Sequence, residues 1–464
     1  MTIPAALDIL PSVRSLTIHL RARAEDVERW SRGEVSGSVV KENHGRTVWR
    51  VPSGSPALYV KRFPAQFFRD RARQEADMLR TLEAASIPCP RLVALARDEK
   101  GSYIVTEEIA DAGELRDRLT AGGVGARTLL ARLGRLAKEL HDAGIEHLDF
   151  HVGNVLVRGE TLFVLDVHRA RRKKLSRDRR LDGAAFTAMS FLDFVPTTDV
   201  VRFFRAYGLR TRKEIEDVCR RLFRRRQLYF RGRDERCLKE GTGFEVRGGI
   251  YLRRGVDLDA LQKEIRSGGT TIKKGDSETM VRLPAGRFVK HVPRTRALKI
   301  WKNGHALLVR GLPTPKLLAC GKDWVAGEWI DGANLGDVAR DAWSGMGRAQ
   351  RNDLLFRLAR LTRRMHDLGV FHKDLKSANI IVRDGSFHIV DLDRVAFGAL
   401  STRDATFNLA QLNASVAAAV TRADRLRFLR AYLGRDRDRW LKRKTWVRDL
   451  MAATRARRHL WPPR

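Results

Sequence analysis

The sequence has no closely spaced cysteines and no long run of apolar residues. Its four cysteines lie far apart, at Cys89, Cys219, Cys237 and Cys320. This spacing gives neither the ligand pairs of a zinc site nor a disulfide framework, so we expect buried thiols. No stretch approaches the roughly 18 apolar residues that a membrane-spanning helix needs. The composition therefore predicts a globular chain without metal-binding cysteines or a transmembrane helix.

Acidic residues are also few relative to basic ones. The 464 residues include 90 Lys and Arg against 55 Asp and Glu, which gives a formal net charge of +35. Such a field attracts nucleic acid, an anionic membrane surface or a polyphosphorylated substrate. The alternative is that part of the excess is arginine on a solvated surface. The first residues lack a basic segment followed by an apolar core, which argues against a secretory signal and predicts a cytoplasmic location.

The length exceeds what one hydrophobic core normally supports, and the chain contains an internal repeat. Residues 141–168 and 366–393 share the pattern His-x-Asp-x4-Asn, followed by two short apolar strands and a second Asp. Matching positions in the two loops differ by 225 in residue number, as Asp149 and Asp374 do. The repeat predicts two domains, which we call the first copy (residues 1–235) and the second copy (residues 236–464).

The repeated loop has the layout of a phosphoryl-transfer site. Asp149 and Asp374 are the candidate bases, or carboxylates that orient the acceptor hydroxyl. Hard oxygen donors suit Mg²⁺ that bridges the phosphates of ATP. The candidate magnesium ligands are therefore Asn154, Asp166, Asn379 and Asp391. The alternative is that the Asp and Asn only shape a turn and that His147 is a buried structural histidine.

Three short strands are predicted ahead of each loop, at residues 36–41, 47–51 and 57–63 and again at 271–274, 279–283 and 288–292. In a kinase-like lobe, a strand lysine orients the nucleotide phosphates and a helix glutamate fixes that lysine. Lys61 and Glu75 fit these two roles, and Lys290 takes the lysine position in the second copy. Taken alone, each would be an ordinary surface charge. A later apolar strand leads to the expected adenine-binding hinge, with Glu108 and Glu328 as cofactor-binding candidates.

The second copy departs from this pattern at the helix glutamate. The position that matches Glu75 is Ile300, and no acidic residue occurs between residues 291 and 322. An unpaired lysine in a kinase cleft would be poorly positioned. Either this copy is weakened or pseudo-catalytic, or its lysine uses an acid from the hairpin turn, such as Asp276 or Glu278.

Basic segments suggest where an anion could bind. Residues 169–180 form a basic run immediately after Asp166, a place that lies beside the acceptor in a kinase, and would suit a phosphorylated or acidic substrate. A solvated basic loop is the alternative. Residues 221–236 are the predicted linker region. The tail at residues 440–464 mixes basic residues with tryptophans, which suits either an anionic membrane surface or a packed terminal helix.

The sequence resembles the lipopolysaccharide kinase (Kdo/WaaP) family of the protein-kinase-like fold. The resemblance rests on His147-x-Asp149-x4-Asn154, His372-x-Asp374-x4-Asn379, Leu165-Asp166, Val390-Asp391-Leu-Asp393-Arg394 and Arg425–Tyr432. It implies an α+β fold of two tandem kinase-like domains, each with a small antiparallel-sheet N-lobe and a mainly helical C-lobe. It also implies ATP- and Mg²⁺-dependent phosphorylation of a sugar hydroxyl in the lipopolysaccharide inner core, on heptose or Kdo.

The implied partner is the lipopolysaccharide core or another anionic glycolipid, with peripheral contact to the anionic inner-membrane surface and no nucleic acid. Leu148 and Lys373 stand where many protein kinases have the arginine that reads a phosphorylated activation loop, which argues against that form of regulation. Two alternatives remain. One is a protein kinase, and the other is a pseudokinase-type scaffold that binds an anionic membrane or a partner.

Overall fold

The computed structural model describes residues 15–43, 45–65, 70–434 and 441–457. Trp440 and Trp461 of the predicted basic tail lie outside these residues. The chain divides into two compact units, Met1–Arg226 and Gln227–Arg464. The boundary inferred from the sequence, between residues 235 and 236, remains a prediction.

The first unit begins with a six-stranded antiparallel sheet in the order β1-β5-β6-β4-β3-β2, and continues as a mainly helical region. Its elements are β1 Ser15–Ile18, α1 Ala24–Ser31, β2 Ser38–Asn43, β3 Arg46–Val51, β4 Leu58–Pro64, α2 Arg71–Ala84, β5 Leu92–Arg97, β6 Gly101–Glu107, β7 Gly113–Glu114, α3 Leu115–Ala121, α4 Val124–Asp142, β8 Ile145–Glu146, β9 Val155–Arg158, β10 Thr161–Val164, β11 Arg171–Arg172, α5 Arg177–Met189, α6 Thr197–Tyr207 and α7 Arg212–Asp234.

The second unit repeats this order around a seven-stranded sheet, β12-β13-β17-β18-β16-β15-β14. Its elements are β12 Phe244–Arg247, β13 Ile250–Arg253, α8 Leu258–Ser267, β14 Thr270–Gly275, β15 Glu278–Leu283, β16 Arg287–His291, α9 Arg294–Val309, β17 Leu317–Cys320, β18 Trp324–Glu328, β19 Ala333–Asn334, α10 Leu335–Asp337, α11 Arg348–Asp367, β20 Val370–His372, β21 Ile380–Arg383, β22 Ser386–Ile389, β23 Val395–Phe397, α12 Thr402–Ala414, α13 Arg422–Leu433 and α14 Arg443–Arg455.

Amphipathic helices form the core behind each loop. In α4, Leu133, Leu136 and Leu140 recur at helical spacing and are all buried, as expected for the apolar face of an amphipathic helix. Their burial fixes the C-terminal end of α4, from which the chain enters the loop that carries Asp149. In the second unit, α11 buries Leu355, Leu358 and Met365 in the same way and leads to Asp374. The fold therefore places both loops at the end of a rigid helix.

The region predicted as a linker, residues 221–236, is helical for most of its length, because α7 runs from Arg212 to Asp234. Between residues 190 and 207 a new helix, α6, begins at Thr197 with Pro196 as its N-cap residue.

No helix among the described residues has the length and the apolar character that crossing a membrane requires.

Candidate active site

A buried histidine shapes the loop in each copy. The Nε2 atom of His147 lies 3.0 Å from the carbonyl oxygen of Leu165, and its Nδ1 atom accepts a hydrogen bond of 3.2 Å from the Asp149 amide. His372 makes the same two contacts, with Val390 and Asp374. Burial lowers the pKa of both histidines. These histidines thus hold the backbone of the loop in place at Asp149 and Asp374.

The loop asparagine is oriented by the same backbone. Asn154 donates from Nδ2 to the Asp149 carbonyl oxygen at 2.9 Å, and Asn379 donates to the Asp374 carbonyl oxygen at 2.8 Å. The amide nitrogen is used in this contact, so the amide oxygen is the atom available to a cation. In the second copy, the Asp374 carboxylate also pairs with Lys376 at 2.9 Å.

The second Asp of each copy has a left-handed backbone conformation. Asp166 has φ 56° and ψ 51°, and Asp391 has φ 59° and ψ 54°. Residues other than glycine rarely adopt this region, and such residues concentrate at functional sites. Since both copies keep the conformation, the turn that presents this carboxylate is a shared feature of the two sites.

In the first copy, the structure brings the predicted lysine, helix glutamate and second Asp together. Lys61 Nζ lies 2.8 Å from Glu75 Oε2 and 2.6 Å from Asp166 Oδ1. Burial by itself would raise the pKa of Asp166, but the hydrogen bond from His168 and the charge of Lys61 lower it well below its ordinary value. The carboxylate is therefore held ionised, next to a clamped ammonium group.

Two contacts of Asp166 were not predicted from the sequence. His168 Nδ1 lies 2.7 Å from Asp166 Oδ1, and Arg46 Nη1 lies 3.3 Å from it. Glu75, Asp166 and His168 offer ligand atoms within 4.8 Å of one another, which a metal ion could use. Lys61 already supplies positive charge between the carboxylates of Glu75 and Asp166. We therefore interpret these three residues as the surroundings of the lysine and not as a metal site of their own. Strand alternation could have predicted the position of Arg46. It lies two residues before Val48, the cross-strand partner of Lys61, and therefore on the same face of the sheet as Lys61.

In the second copy, Lys290 is paired with an acid on a strand. Its Nζ atom lies 3.3 Å from Glu278 Oε2 and 3.5 Å from Asp391 Oδ1. Glu278 begins β15, in which Met280 is the cross-strand partner of Lys290, so strand alternation puts Glu278 on the same face. Burial would raise the pKa of Glu278, but Lys273 and Lys290 lower it to about 2. Of the alternatives left open by the sequence, the structure shows the pairing with Glu278.

The two copies have exchanged charges between strand and helix. Glu278 takes the strand position that Arg46 has in the first copy, because each lies two residues before the partner of the lysine. On helix α9, Arg296 contacts Glu278 at 2.5 Å and Asp393 at 2.8 Å. The first copy thus has a base on the strand and an acid on the helix, and the second copy has the reverse.

Asp391 and Asp393 form a close pair of carboxylates in the second copy. Burial and the charge of Asp393 raise the pKa of Asp391. Burial also acts to raise the pKa of Asp393, but Arg296 and Lys290 lower it. Asp393 is the counterpart of His168, 225 residues earlier, so this position differs in charge between the copies.

The two hinge candidates do not occupy equivalent positions. The backbone N–H of Glu107 donates to the carbonyl oxygen of Arg91 at 3.0 Å, and that of Glu328 donates to the carbonyl oxygen of Lys316 at 2.9 Å. Since Lys316 matches Arg91, Glu107 is the counterpart of Glu328. Glu108 lies one residue further on, where its amide donates to Ala57 at 2.8 Å. The guanidinium of Arg50 binds its carboxylate with contacts of 2.7 and 2.9 Å. A role of Glu108 and Glu328 in nucleotide binding remains a prediction.

The family model described as "Lipopolysaccharide kinase (Kdo/WaaP) family" matches residues 26–207 and again residues 278–432. Together these regions make up well over half of the chain. The chain belongs to this family. The resemblance inferred from the sequence is thus confirmed, as is the α+β fold with two kinase-like regions.

The chain is also similar to individual kinases whose names specify a sugar acceptor. The chain is 29% identical over 193 residues to the lipopolysaccharide core heptose(I) kinase WaaP of Pseudomonas aeruginosa, a match that covers 34% of this chain and 71% of the relative. It is 29% identical over 127 residues to the 3-deoxy-D-manno-octulosonic acid kinase of Stenotrophomonas maltophilia, covering 26% and 44%. A solved structure of WaaP in complex with acyl carrier protein matches at 24% identity and a TM-score of 0.37, covering 46% of this chain and 97% of that one.

Proposed function

We propose that this protein is an ATP- and Mg²⁺-dependent kinase that phosphorylates a sugar hydroxyl of the lipopolysaccharide inner core, on heptose or Kdo. The observation that carries the proposal is the arrangement in the first copy, where Lys61 lies between Glu75 and Asp166 in the unit that holds the Asp149 loop. Membership of the Kdo/WaaP family supports the acceptor class. The implied place of action is the cytoplasmic face of the inner membrane, with peripheral contact to its anionic surface.

Positioning and electrostatics account for most catalysis of phosphoryl transfer. In this scheme Lys61, fixed by Glu75, binds and orients the nucleotide phosphates. Asp149 accepts a hydrogen bond from the acceptor hydroxyl and aligns its oxygen with the γ-phosphate.

The donor set of the first copy fits Mg²⁺, because the amide oxygen of Asn154 and the ionised carboxylate of Asp166 are hard oxygen ligands. These two residues would hold the ion, which supplies neutralisation of the phosphate charge when bound. Asn379 and Asp391 offer the same atom types in the second copy.

We propose that the second copy is also a kinase. Its strand lysine keeps a carboxylate partner, because Lys290 lies 3.3 Å from Glu278. Glu278 thus takes the role that Glu75 has in the first copy, since the position that matches Glu75 in the second copy is Ile300. Asp374 has the same backbone setting as Asp149, because His372 makes the contacts that His147 makes.

The test is transfer of labelled phosphate from ATP and Mg²⁺ to isolated lipopolysaccharide inner core by the full chain and by Asp149→Asn, Asp374→Asn and the double variant. We expect each single variant to lose the activity of its own copy and the double variant to lose about 10²–10³-fold or more, since a positioned acid–base group contributes on this scale. Asp117→Asn and Asp259→Asn, at exposed helix positions, are matched controls.

Three outcomes would contradict the proposal. Label on protein in place of glycolipid would indicate a protein kinase. Full activity in the double variant would show that neither loop carboxylate takes part. Absence of ATP binding in the wild type would favour a scaffold.

A further inference from the structure

The first copy contains a cavity of about 770 Å³ beside the candidate active site. Helix α2, the loop residue Leu148 and the segment after Asp166 form its wall. Leu148 directly precedes Asp149, and His168, which contacts Asp166, also lines the cavity. Its volume is in the range of small-molecule sites. The arginines that line it are Arg71, Arg169, Arg171 and Arg172.

These four arginines have no carboxylate partner among the residues that the structure describes. The cavity has one acid in its wall, Asp77, which pairs with Arg80 at 3.0 Å. The cross-strand neighbour of Arg171 is Glu146. Its carboxylate is engaged by Lys173 at 2.6 Å and by Arg179 at 3.5 Å. The cavity wall therefore carries an excess of positive charge.

Like charges gathered around one cavity repel each other unless an anion lies between them. Guanidinium groups present planar, forked donors that match the oxygens of a phosphoryl or carboxylate group. Arg71 is half-buried and the other three are exposed, so an incoming anion can reach all four. This composition favours an anionic ligand over a neutral sugar.

The second copy keeps only part of this arrangement among its described residues. The residue 225 positions after Arg169 is Arg394, but the residues that match Arg171 and Arg172 are Ala396 and Phe397. The counterpart of Arg71 is Arg296, which is already paired with Glu278 and Asp393. The basic cavity is thus a property of the first copy and is not required by the fold.

We propose that this cavity binds a phosphoryl group, and that the phosphoryl group belongs to the acceptor of the first copy. The second part rests on the proposed function. An acceptor whose hydroxyl reaches Asp149 would place a neighbouring phosphoryl group beside Leu148, where the arginines bind it. The first copy then selects a phosphorylated acceptor.

A binding experiment tests the cavity without relying on turnover. The full chain is saturated with Mg²⁺ and a non-hydrolysable ATP analogue, and binding of labelled inorganic phosphate is measured by equilibrium dialysis. The double variant Arg171→Gln/Arg172→Gln should bind phosphate at least 10-fold more weakly. Arg97→Gln/Arg205→Gln removes the same charge at exposed sites of the same unit and should bind as the wild type does. Equal binding by both variants, or no binding by the wild type, would overturn the assignment.

A kinetic experiment identifies the source of the phosphoryl group. In an Asp374→Asn background, which isolates the first copy, Arg171→Gln/Arg172→Gln should raise KM for phosphorylated inner core about 10-fold or more. KM for ATP, and KM for dephosphorylated core, should stay unchanged. An unchanged KM for phosphorylated core together with lost phosphate binding would show that the ligand is a free phosphate, which overturns the acceptor part. Absence of transfer in every variant would refute the proposed function and leave the binding result standing.

Discussion

Lys61 and Lys290 lie on matching strands, but the acid paired with each comes from a different element. Glu75 belongs to helix α2, whereas Glu278 belongs to strand β15. Both carboxylates lie within 3.3 Å of their lysine and are mostly buried. In both cases the ammonium group is also close to the second Asp of the loop. Each lysine thus has a buried glutamate partner, which comes from a helix in the first copy and from a strand in the second.

Replacing either acid should therefore impair its own copy. Glu75→Gln in an Asp374→Asn background, and Glu278→Gln in an Asp149→Asn background, should each lower kcat/KM for ATP about 10- to 100-fold, because a neutral amide no longer fixes the lysine. The measurement is initial rate against ATP concentration. Glu83→Gln and Glu240→Gln, at exposed positions, are the controls. A Glu278→Gln variant with an unchanged rate would show that the second copy works without this pair.

At the scale of elements, helix α4 lies unusually close to helix α6. A Cβ atom added at Gly134 would lie 2.4 Å from the backbone oxygen of Phe203 and 3.0 Å from the Cβ atom of Ala206. The closest atom is backbone, so a clash could be relieved only by moving a helix. Gly134 therefore permits the packing that holds the C-terminal end of α4 in place ahead of the loop.

Gly134→Ala should lower the free energy of unfolding of the first unit by about 1–3 kcal/mol, the usual range for overpacking. The matched control is Gly125→Ala in the same helix. A Cβ atom there meets nothing within 4 Å, so higher helix propensity should leave stability unchanged or raise it by up to about 1 kcal/mol. Urea unfolding followed by circular dichroism measures both. Equal stability of the two variants would contradict the close approach of the helices.

At the scale of the whole molecule, each unit contains the same buried histidine–tyrosine pair. His141 Nδ1 lies 2.7 Å from the Tyr207 hydroxyl, and His366 Nδ1 lies 2.8 Å from the Tyr432 hydroxyl. Burial lowers the pKa of both histidines to about 4. Both are neutral in the folded protein near pH 7, whereas in the unfolded chain they bind a proton below about pH 6.5.

Stability should consequently fall on acidification. A histidine whose pKa is lowered by folding contributes its full stability above about pH 6.5, and this contribution is lost as the pH falls towards 4. At about 1.4 kcal/mol per unit of pKa, each histidine accounts for up to about 3 kcal/mol. Thermal unfolding between pH 7.5 and 4 checks this, with His141→Gln/His366→Gln as the comparison. The variant should be less stable at pH 7.5 but should show a flatter pH dependence; an equally steep dependence would assign the effect to other groups.

Local patterns in the sequence were enough to predict the two loops and the elements around them. The Asp and Asn spacing predicted the loops of both candidate sites, and the strands predicted at residues 47–51 and 57–63 are Arg46–Val51 and Leu58–Pro64. Alternation and helical periodicity depend on neighbouring residues only, so they can be recognised without a structure. Family membership was recognisable for the same reason, because its motifs are contiguous.

Only the tertiary structure decided which side chains meet. It paired Lys290 with Glu278, placed Arg46 and His168 against Asp166, and showed that Glu107 makes the backbone contact equivalent to that of Glu328. These contacts join residues that are distant in sequence or on neighbouring strands, and they depend on strand register and on the packing of helix against sheet. The four arginines of the cavity follow the same rule, since Asp77 pairs with Arg80 and Glu146 pairs with Lys173 and Arg179.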